Sequence, residues 1–578
     1  MMNQASQAER EISPAALFGA GSAIHSAEIE ILRANPDKAA LPIDSPLADY
    51  KAVINQPDAD LIIVRLRDLE RAAQSDKSDS ALRAAALSRL NLLVNLLMQS
   101  PPERPTDWLL FAPPISEGLR AEGRGMRKTP RLPSALFPFL ASGPDFPPGL
   151  LISATTRTPG LVSNRDIAPT LARLLHLNLA GPTEGRTLKV AAIGNDGAER
   201  VERLARIAYL AELNGRALWP VTLGLFGLCA VWIGVGFWVK KYRPRIAPYF
   251  APAFVFAQNA GAGAMLAPLL VPPTLLEYGL RIAAWMLALT LICYAFARIV
   301  RLPPPLIAAL LTLTLLIGDT MTGQNLLKDS LISDYALAGI RYYGVGNEYL
   351  GAALGFALTG SFAWLDAMRV PFPPTRESRG ARRGLLLCWL GLTLLLGWPG
   401  LGANAGSLVA CGAGFGVGAA LLLGRRANWK IGVAGALAGL LVAFGFSLLD
   451  ARLAGGEASH LGAAMQAASG GRGAGYPVAI VLRKIAMNFR LLFSPAFLLA
   501  SVGVAVFATF SGRIFGAEWR SLLARRPWLA QSRKALLAAG IASLLFKDSG
   551  VVTALFLTGG AWLLFAWFLF NEPKSETD

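Results

Sequence analysis

The sequence is poor in the residues that most often build metal and redox sites. Its 578 residues include four cysteines and three histidines, and charged residues make up 16% of the chain. The cysteines are Cys229, Cys293, Cys388 and Cys411. All four lie inside apolar stretches, and no pair has the spacing of a metal site. Residues 1–215 contain no cysteine and therefore no disulfide. We expect no metal site and no cofactor.

The amino terminus lacks the apolar core of a signal peptide. It reads Met-Met-Asn-Gln-Ala-Ser-Gln-Ala-Glu-Arg, which is polar throughout. The first membrane span is therefore also the first export signal that the chain offers. The net charge is +17, but the basic residues form short clusters between apolar runs, as orientation signals do. We therefore expect no nucleic-acid partner.

Apolar residues are what the chain has in abundance. They make up 53% of it, with a mean hydropathy of +0.44. Residues 1–190 have the composition of a soluble domain and 191–216 of a linker helix, whereas from Ala217 the apolar runs are long enough to cross a bilayer. Windows of about 19 residues place spans at 217–239, 249–271, 280–300, 303–320, 348–366, 384–399, 402–423, 431–449, 491–512, 534–547 and 550–571. The last two form one broken helix in the alternative count, which leaves ten spans instead of eleven.

Basic residues in the loops predict the orientation. They are most frequent after the first, third, fifth, seventh and ninth spans, so the positive-inside rule places those loops in the cytoplasm. We expect the protein to lie in the plasma membrane of a bacterium with its soluble domain on the extracytoplasmic side. The tail 572–578 is cytoplasmic if there are eleven spans. The outer side also receives the 320–347 and 450–490 loops.

The soluble region has a strand–helix–strand pattern. Residues 60–66 form a short apolar run rich in β-branched residues, which predicts a strand, and 107–112 predict the next strand. Leucines at near-helical spacing lie between them at 82–97. This order predicts an α/β unit with parallel strands. The predicted fold is thus an α/β amino-terminal domain followed by an all-α transmembrane bundle of 10–11 helices.

A more specific pattern lies at 150–176 and continues to Gly185-Arg186. It contains Asp166-Ile-Ala-Pro-Thr-Leu, in which Asp166 is a good helix N-cap and Pro169 is tolerated in the first turn. The segment resembles the carboxy-terminal part of the alkaline phosphatase superfamily, where this wording opens a helix that ends before a Gly-Arg turn. The resemblance covers about residues 58–190. A soluble domain of this type before a polytopic module is also the layout of the phosphoethanolamine transferases of glycolipid anchors.

The chain departs from that family where the family has its chemistry. The family holds two metals with several Asp and His residues, whereas this chain has only His25, His176 and His460. Two metals would be needed to stabilise charge on the attacking and leaving oxygens. We therefore expect a catalytically degenerate domain without metal-dependent phosphatase activity, and we expect His176 to be a packing residue. The domain also looks incomplete at its amino-terminal side: either the native start with a signal peptide lies upstream, or the domain has decayed.

The segment 334–351 is the strongest candidate for a binding site. It is polar and aromatic, lies between two long apolar stretches, and contains Arg341, Asn347 and Glu348. Charged groups near a bilayer are costly and usually mark a functional site, although a connecting loop with capping residues is the alternative. The predicted orientation adds other polar residues of the same side as substrate-binding candidates: Asp319, Asp450, His460, Asn488 and Asp548.

The stretch 480–492 is amphipathic. Its basic residues Arg483, Lys484 and Arg490 are candidates for contacts with lipid phosphates. The alternative is that the stretch merely begins the next span. Glycine-rich runs such as 412–418 lie inside spans and suit close helix packing better than phosphate binding.

These observations support one leading hypothesis and two alternatives. In the first, the membrane module binds or moves an anionic envelope lipid or polymer intermediate, with Arg341 as the anion ligand. The first alternative is a membrane-embedded phospho-group or glycosyl transferase at the outer face, in which Glu348 and His460 transfer protons. The second is a non-catalytic scaffold of an envelope assembly. The sequence names neither the substrate nor the oligomeric state, and membrane lipids are the expected partners.

Overall fold

The computed structural model describes residues 28–32, 61–65, 108–111, 136, 139–177, 185–193, 196–336, 341–453, 475–494 and 512–571. The chain divides into two units, Met1–Ala205 and Arg206–Asp578. Helix is the dominant secondary structure. The predicted helix at 82–97 and the candidate His460 lie outside the described residues.

The strands of the first unit form three antiparallel pairs. β1 (Glu28–Leu32) pairs with β2 (Leu61–Arg65), β3 (Trp108–Phe111) with β4 (Phe139–Ser142), and β5 (Leu150–Ile152) with β6 (Lys189–Ala191). The two strands expected at 60–66 and 107–112 are thus present as β2 and β3. Each pairs with a partner that was not predicted, and the described strands contain no parallel pair. The α/β unit with parallel strands is therefore not seen in the described part of the first unit.

Asp166 is the centre of a buried hydrogen-bond network in this unit. Its carboxylate accepts hydrogen bonds from Ser153 Oγ at 2.7 Å and Thr155 Oγ1 at 2.5 Å. It also accepts from the backbone N–H groups of Ser163 at 3.0 Å and Arg186 at 2.9 Å. The side chain is fully buried. One carboxylate thus joins four points of the chain between 153 and 186.

The helix after Asp166 differs from its prediction in two respects. Asp166 does not cap α1 (Ile167–Leu174) with its side chain. The cap belongs to Ser163, which starts a 3₁₀ turn at Asn164–Asp166 and forms a capping box with Asp166. His176 is exposed and has a left-handed φ of 51° at the end of the helix. It therefore ends the helix and is not a packing residue.

Replacing Asp166 by Ala is expected to lower the stability of this segment by about 3 kcal/mol, since it leaves several buried donors without an acceptor. Limited proteolysis of the purified protein, with cleavage mapped to 139–193, measures the effect. The control is Asp145→Asn, which removes a half-exposed carboxylate paired with Arg173 at 3.5 Å and should change little. Equal protection of the two variants would contradict the role of Asp166.

The second unit is a helical bundle, with its first helix starting before the unit boundary. The helices are α2 (Gly197–Tyr242), α3 (Pro252–Gln258), α4 (Ala260–Leu266), α5 (Leu275–Val300), α6 (Pro304–Met321), α7 (Asn325–Asp329), α8 (Asn347–Ala367), α9 (Arg379–Gly397), α10 (Ala405–Leu422), α11 (Trp429–Leu453), α12 (Gly475–Leu492), α13 (Gly516–Arg525), α14 (Pro527–Phe546) and α15 (Gly550–Asn571). Within the described residues, eight helices are long and apolar enough to cross a membrane: α2, α5, α6, α8, α9, α10, α11 and α15.

These eight helices agree with eight of the predicted spans. The second predicted span is divided into α3 and α4 at Asn259, where ψ is 1°. The tenth corresponds to α14, which begins earlier than predicted, at Pro527. The ninth lies mostly outside the described residues. The total of ten or eleven spans stays a prediction.

The interior of the bundle is built around α8 and α10. In the most apolar stretch of each of these two helices, 72% of the residues are buried. The share is 22% in α2, α9 and α11, whose apolar surfaces face outward. Glycine allows close contact between α10 and α11: a Cβ on Gly412 would lie 2.2 Å from the carbonyl oxygen of Gly435, and a Cβ on Gly435 would lie 2.1 Å from that of Gly412. The glycine-rich run of α10 therefore serves helix packing.

The two ends of the bundle can be recognised by their contacts. At one end, here the Trp528 end, the Asp366 carboxylate accepts the N–H groups of Trp528 at 3.1 Å and Leu529 at 2.8 Å. Residue 366 lies in the last turn of α8, and Trp528 in the first turn of α14. The start of α8 and the end of α14 consequently lie at the opposite end, which we name the Lys547 end.

Candidate functional site

Polar residues from five segments meet at the Lys547 end. They come from the loop after α6, the segment before α8, the loop before α10, helix α12 and the break between α14 and α15. We name this group the polar cluster; its members are Gln324, Arg341, Asn404, Lys484, Asn488, Lys547 and Asp548.

Gln324 joins the first three of these segments. Its Oε1 accepts the N–H of Gly344 at 2.7 Å, and its Nε2 donates to the Leu401 carbonyl at 2.5 Å. Gly344 has a φ of 91°, and a Cβ there would lie 2.6 Å from the Gly402 carbonyl oxygen, so this position requires glycine. The N–H of Val345 then reaches that same carbonyl at 2.8 Å. These contacts fix the backbone at 344–345.

The Val345 carbonyl connects Arg341 to Asn404. It accepts hydrogen bonds from Arg341 Nη1 and from Asn404 Nδ2, both at 2.9 Å. Asn404 also caps α10, because its Oδ1 accepts the N–H of Ser407 at 3.1 Å. The same oxygen accepts Lys547 Nζ at 2.9 Å. Arg341 and Lys547 are thus linked through two intermediates.

Lys547 is the most unusual member of the cluster. Its side chain is only 3% exposed, and within the described residues its ammonium makes one hydrogen bond, to Asn404. Arg341 and Lys484 act on it as like charges, and the Cys411 thiol and Asp548 act in the opposite sense. A buried ammonium is costly unless it is paired. Of the ionisable members of the cluster, Arg341, Lys484 and Lys547 are basic and Asp548 is acidic.

Asn488 holds the break between α14 and α15 in place. Its Nδ2 donates to the carbonyl oxygens of Leu544 at 3.0 Å and Lys547 at 2.6 Å, at the end of α14. Its Oδ1 accepts the N–H of Val551 at 3.1 Å, at the start of α15. A single side chain of α12 thereby satisfies backbone groups of both helix ends.

The remaining predicted residues have different environments. Asp319 is buried and accepts the N–H groups of Leu326 and Leu327, both at 2.8 Å, so it caps α7 and is not open to a substrate. Asn347 and Glu348 lie in the first turn of α8, with Glu348 buried. Asp450 is half-buried near the end of α11, and Arg483 and Arg490 are exposed on α12.

Several cluster residues were missed by the sequence analysis. Gln324 and Asn404 lie in connecting loops, which carry polar residues by default, so neither gave a signal. Lys547 did give one, because it interrupts two apolar stretches, but only its neighbour Asp548 was selected as a candidate. In the described ranges, no group of three His, Cys, Asp or Glu residues is placed to hold a metal ion.

The eight apolar helices fit the class of multi-pass membrane proteins. Searches against protein-family models, curated proteins and solved structures find no match to this chain.

Proposed function

We propose that the chain is an integral protein of the bacterial cell envelope whose membrane unit binds or moves an anionic lipid or polymer intermediate at the polar cluster. The amino-terminal unit is, in this proposal, a catalytically degenerate relative of the alkaline phosphatases. The observation that supports the binding role is the buried Lys547 side chain, whose one hydrogen bond among the described residues goes to Asn404 and which has Arg341 and Lys484 near it.

An anionic ligand would relieve the electrostatic imbalance of the cluster. Like charges that are held together in a low dielectric repel one another strongly, and an anion between them converts the repulsion into attraction. Phosphate is well suited, because Lys binds it as a point charge and Arg can bind it with two parallel hydrogen bonds. The supporting surroundings are apolar helices, as a membrane-borne ligand requires.

Arg341→Ala is expected to weaken binding of an anionic lipid about tenfold to a hundredfold, the value of a charge-assisted hydrogen bond. Arg341→Lys should also bind weakly if recognition is bidentate. The assay compares phosphatidic acid with phosphatidylcholine on the purified protein in nanodiscs.

Arg281→Ala is the matched control for Arg341. Arg281 lies near the start of α5, pairs with Glu277 and donates to the Leu270 carbonyl. The Arg281→Ala protein should bind the lipid like the parent. If both Arg341 variants bind like the parent, segment 341–346 is a connecting loop. If the parent protein itself does not distinguish the two lipids, the proposed function is wrong.

The proposal also places the Lys547 end outside the cell. In a protein whose exposed Cys388 has been replaced by Ser, we expect an impermeant thiol reagent to label Thr322→Cys in intact cells. Glu377→Cys should react only after lysis. Both positions are exposed, whereas the nearby Ser330 is buried against Tyr349 and unsuited to labelling. Equal labelling of the two sites in intact cells would refute this orientation.

A further inference from the structure

The contacts of Lys484 differ from those of the buried lysine beside it. Lys484 is one-quarter exposed and lies 3.5 Å from Asp548 Oδ1, which belongs to a side chain that is 58% exposed. The other polar contact of its ammonium among the described residues is to the Phe546 carbonyl at 3.4 Å. Strong ion pairs between an ammonium and a carboxylate are about 2.7–2.9 Å long. The pair is therefore loose, and an exposed pair of this kind is weak.

The three side chains form a gradient of burial. Exposure falls from 58% at Asp548 to 25% at Lys484 and 3% at Lys547. Asp548 is the next residue after Lys547 in the chain, and its carboxylate acts on Lys547. An anion that approaches from the exposed side therefore meets a carboxylate before it meets the buried ammonium.

We propose that Asp548 is an internal counter-ion that closes the cluster, and that the ligand which displaces it is the phosphate monoester of a lipid. This inference rests on the proposed function. When Asp548 moves away, Arg341, Lys484 and Lys547 together carry three positive charges. A monoester with about −1.5 to −2 charge at neutral pH neutralises them better than a diester, which carries one negative charge.

The surroundings of Lys484 favour a lipid over a free anion. Lys484 and Asn488 lie one turn apart on α12 and both contact the break before α15. The same helix exposes Leu482, Met487 and Phe489. A helix with one face on the protein and exposed apolar side chains on another suits the interface of a bilayer. A lipid that is anchored in that interface by its acyl chains would present its phosphate to Lys484 from the bilayer.

The test measures binding of phosphatidic acid and phosphatidylglycerol to the purified full-length protein in nanodiscs. Asp548→Asn is expected to bind phosphatidic acid about threefold to fivefold more tightly, since it removes a competitor held by a weak exposed pair. Asp548→Glu keeps the competing carboxylate, so it should not show this gain in affinity. The matched control is Glu277→Gln, which neutralises another partly exposed acidic residue, paired with Arg281 on α5, and should leave the affinity unchanged.

The outcomes separate this inference from the proposed function. If Arg341→Ala weakens binding but Asp548→Asn binds no more tightly, Asp548 is not a competitor and the inference is overturned. A weaker Asp548→Asn would make the carboxylate part of the ligand site, which also overturns it. Equal affinity of the parent for phosphatidic acid and phosphatidylglycerol excludes the monoester. If inorganic phosphate at low millimolar concentration displaces the lipid completely, the ligand is a soluble anion and the lipid assignment is wrong.

Discussion

Lys547→Met is expected to abolish measurable binding of phosphatidic acid, with a loss of about a hundredfold or more, while the protein remains folded. The substitution removes the buried charge on which the anion would rest, and a buried charged group that contacts its ligand is worth several kcal/mol. Methionine fills a similar volume, and replacing a buried charge by an apolar side chain is often neutral or stabilising. Asn404 keeps one of the two donors to its Oδ1, the N–H of Ser407. We therefore expect the melting temperature without added lipid to stay the same or to rise.

This pair of readouts distinguishes a ligand site from a structural contact. If Lys547 only supports the fold through Asn404, the variant should melt earlier and bind lipid normally. Lys430→Met is the control, because Lys430 is an exposed residue in the first turn of α11; it should alter neither property. A Lys547→Met protein with parental affinity would remove the main support for the proposed function.

Asn488→Leu is expected to destabilise the membrane unit by about 3–5 kcal/mol. It leaves the Leu544 and Lys547 carbonyls and the Val551 N–H without their partner, and each unsatisfied buried group costs about 1–3 kcal/mol. Thermal unfolding in detergent measures the loss. Hydrogen exchange of the amides at 546–552 shows whether it begins at the break.

The control for Asn488 is Asn571→Leu. Asn571 is exposed at the end of α15 and donates to the Trp567 carbonyl of its own helix, so its replacement should change stability by less than about 0.5 kcal/mol. An intermediate result is expected for Asn488→Asp, which keeps an acceptor for Val551 but loses both donors. If Asn488→Leu melts at the parental temperature, the break does not depend on α12.

The sequence predicted the helices of the second unit far better than the polar contacts between them. A long apolar run has few alternatives to a helix, because in a bilayer every backbone N–H and C=O group must be hydrogen-bonded within the protein. The helices α8 and α15 accordingly match their predictions. The start of α14 at Pro527 was missed because the polar run Gln531-Ser-Arg-Lys534 separates its apolar first turn from the predicted span. Its position depends on Asp366, a residue more than 150 positions earlier that satisfies its first N–H groups.

The candidate site shows the same limit at the level of single residues. Arg341, Asn488 and Asp548 could be selected by charge or polarity, and the structure brings them to one end of the bundle. Asp319 looked equivalent in the sequence, yet the chain folds back so that Leu326 and Leu327 use both of its oxygens. The pairing of β2 was not predicted for a related reason. Its partner β1 is a strand that the pattern analysis did not identify, and the pairing of a strand cannot be predicted when its partner is not recognised.

The contacts of the last helix have a consequence for the biogenesis of the protein. Asn404 and Asn488 leave the ribosome before Lys547 and Gly550. The residues that bind the break between α14 and α15 are therefore synthesised before the break itself. Lys240, at the end of α2, donates to the Leu569 carbonyl at 2.8 Å and pairs with Glu518 at 2.8 Å. Both contacts of Lys240 can therefore form only after Glu518 and Leu569 have been synthesised. A nascent chain that stops before Leu569 leaves the Lys240 ammonium without that acceptor.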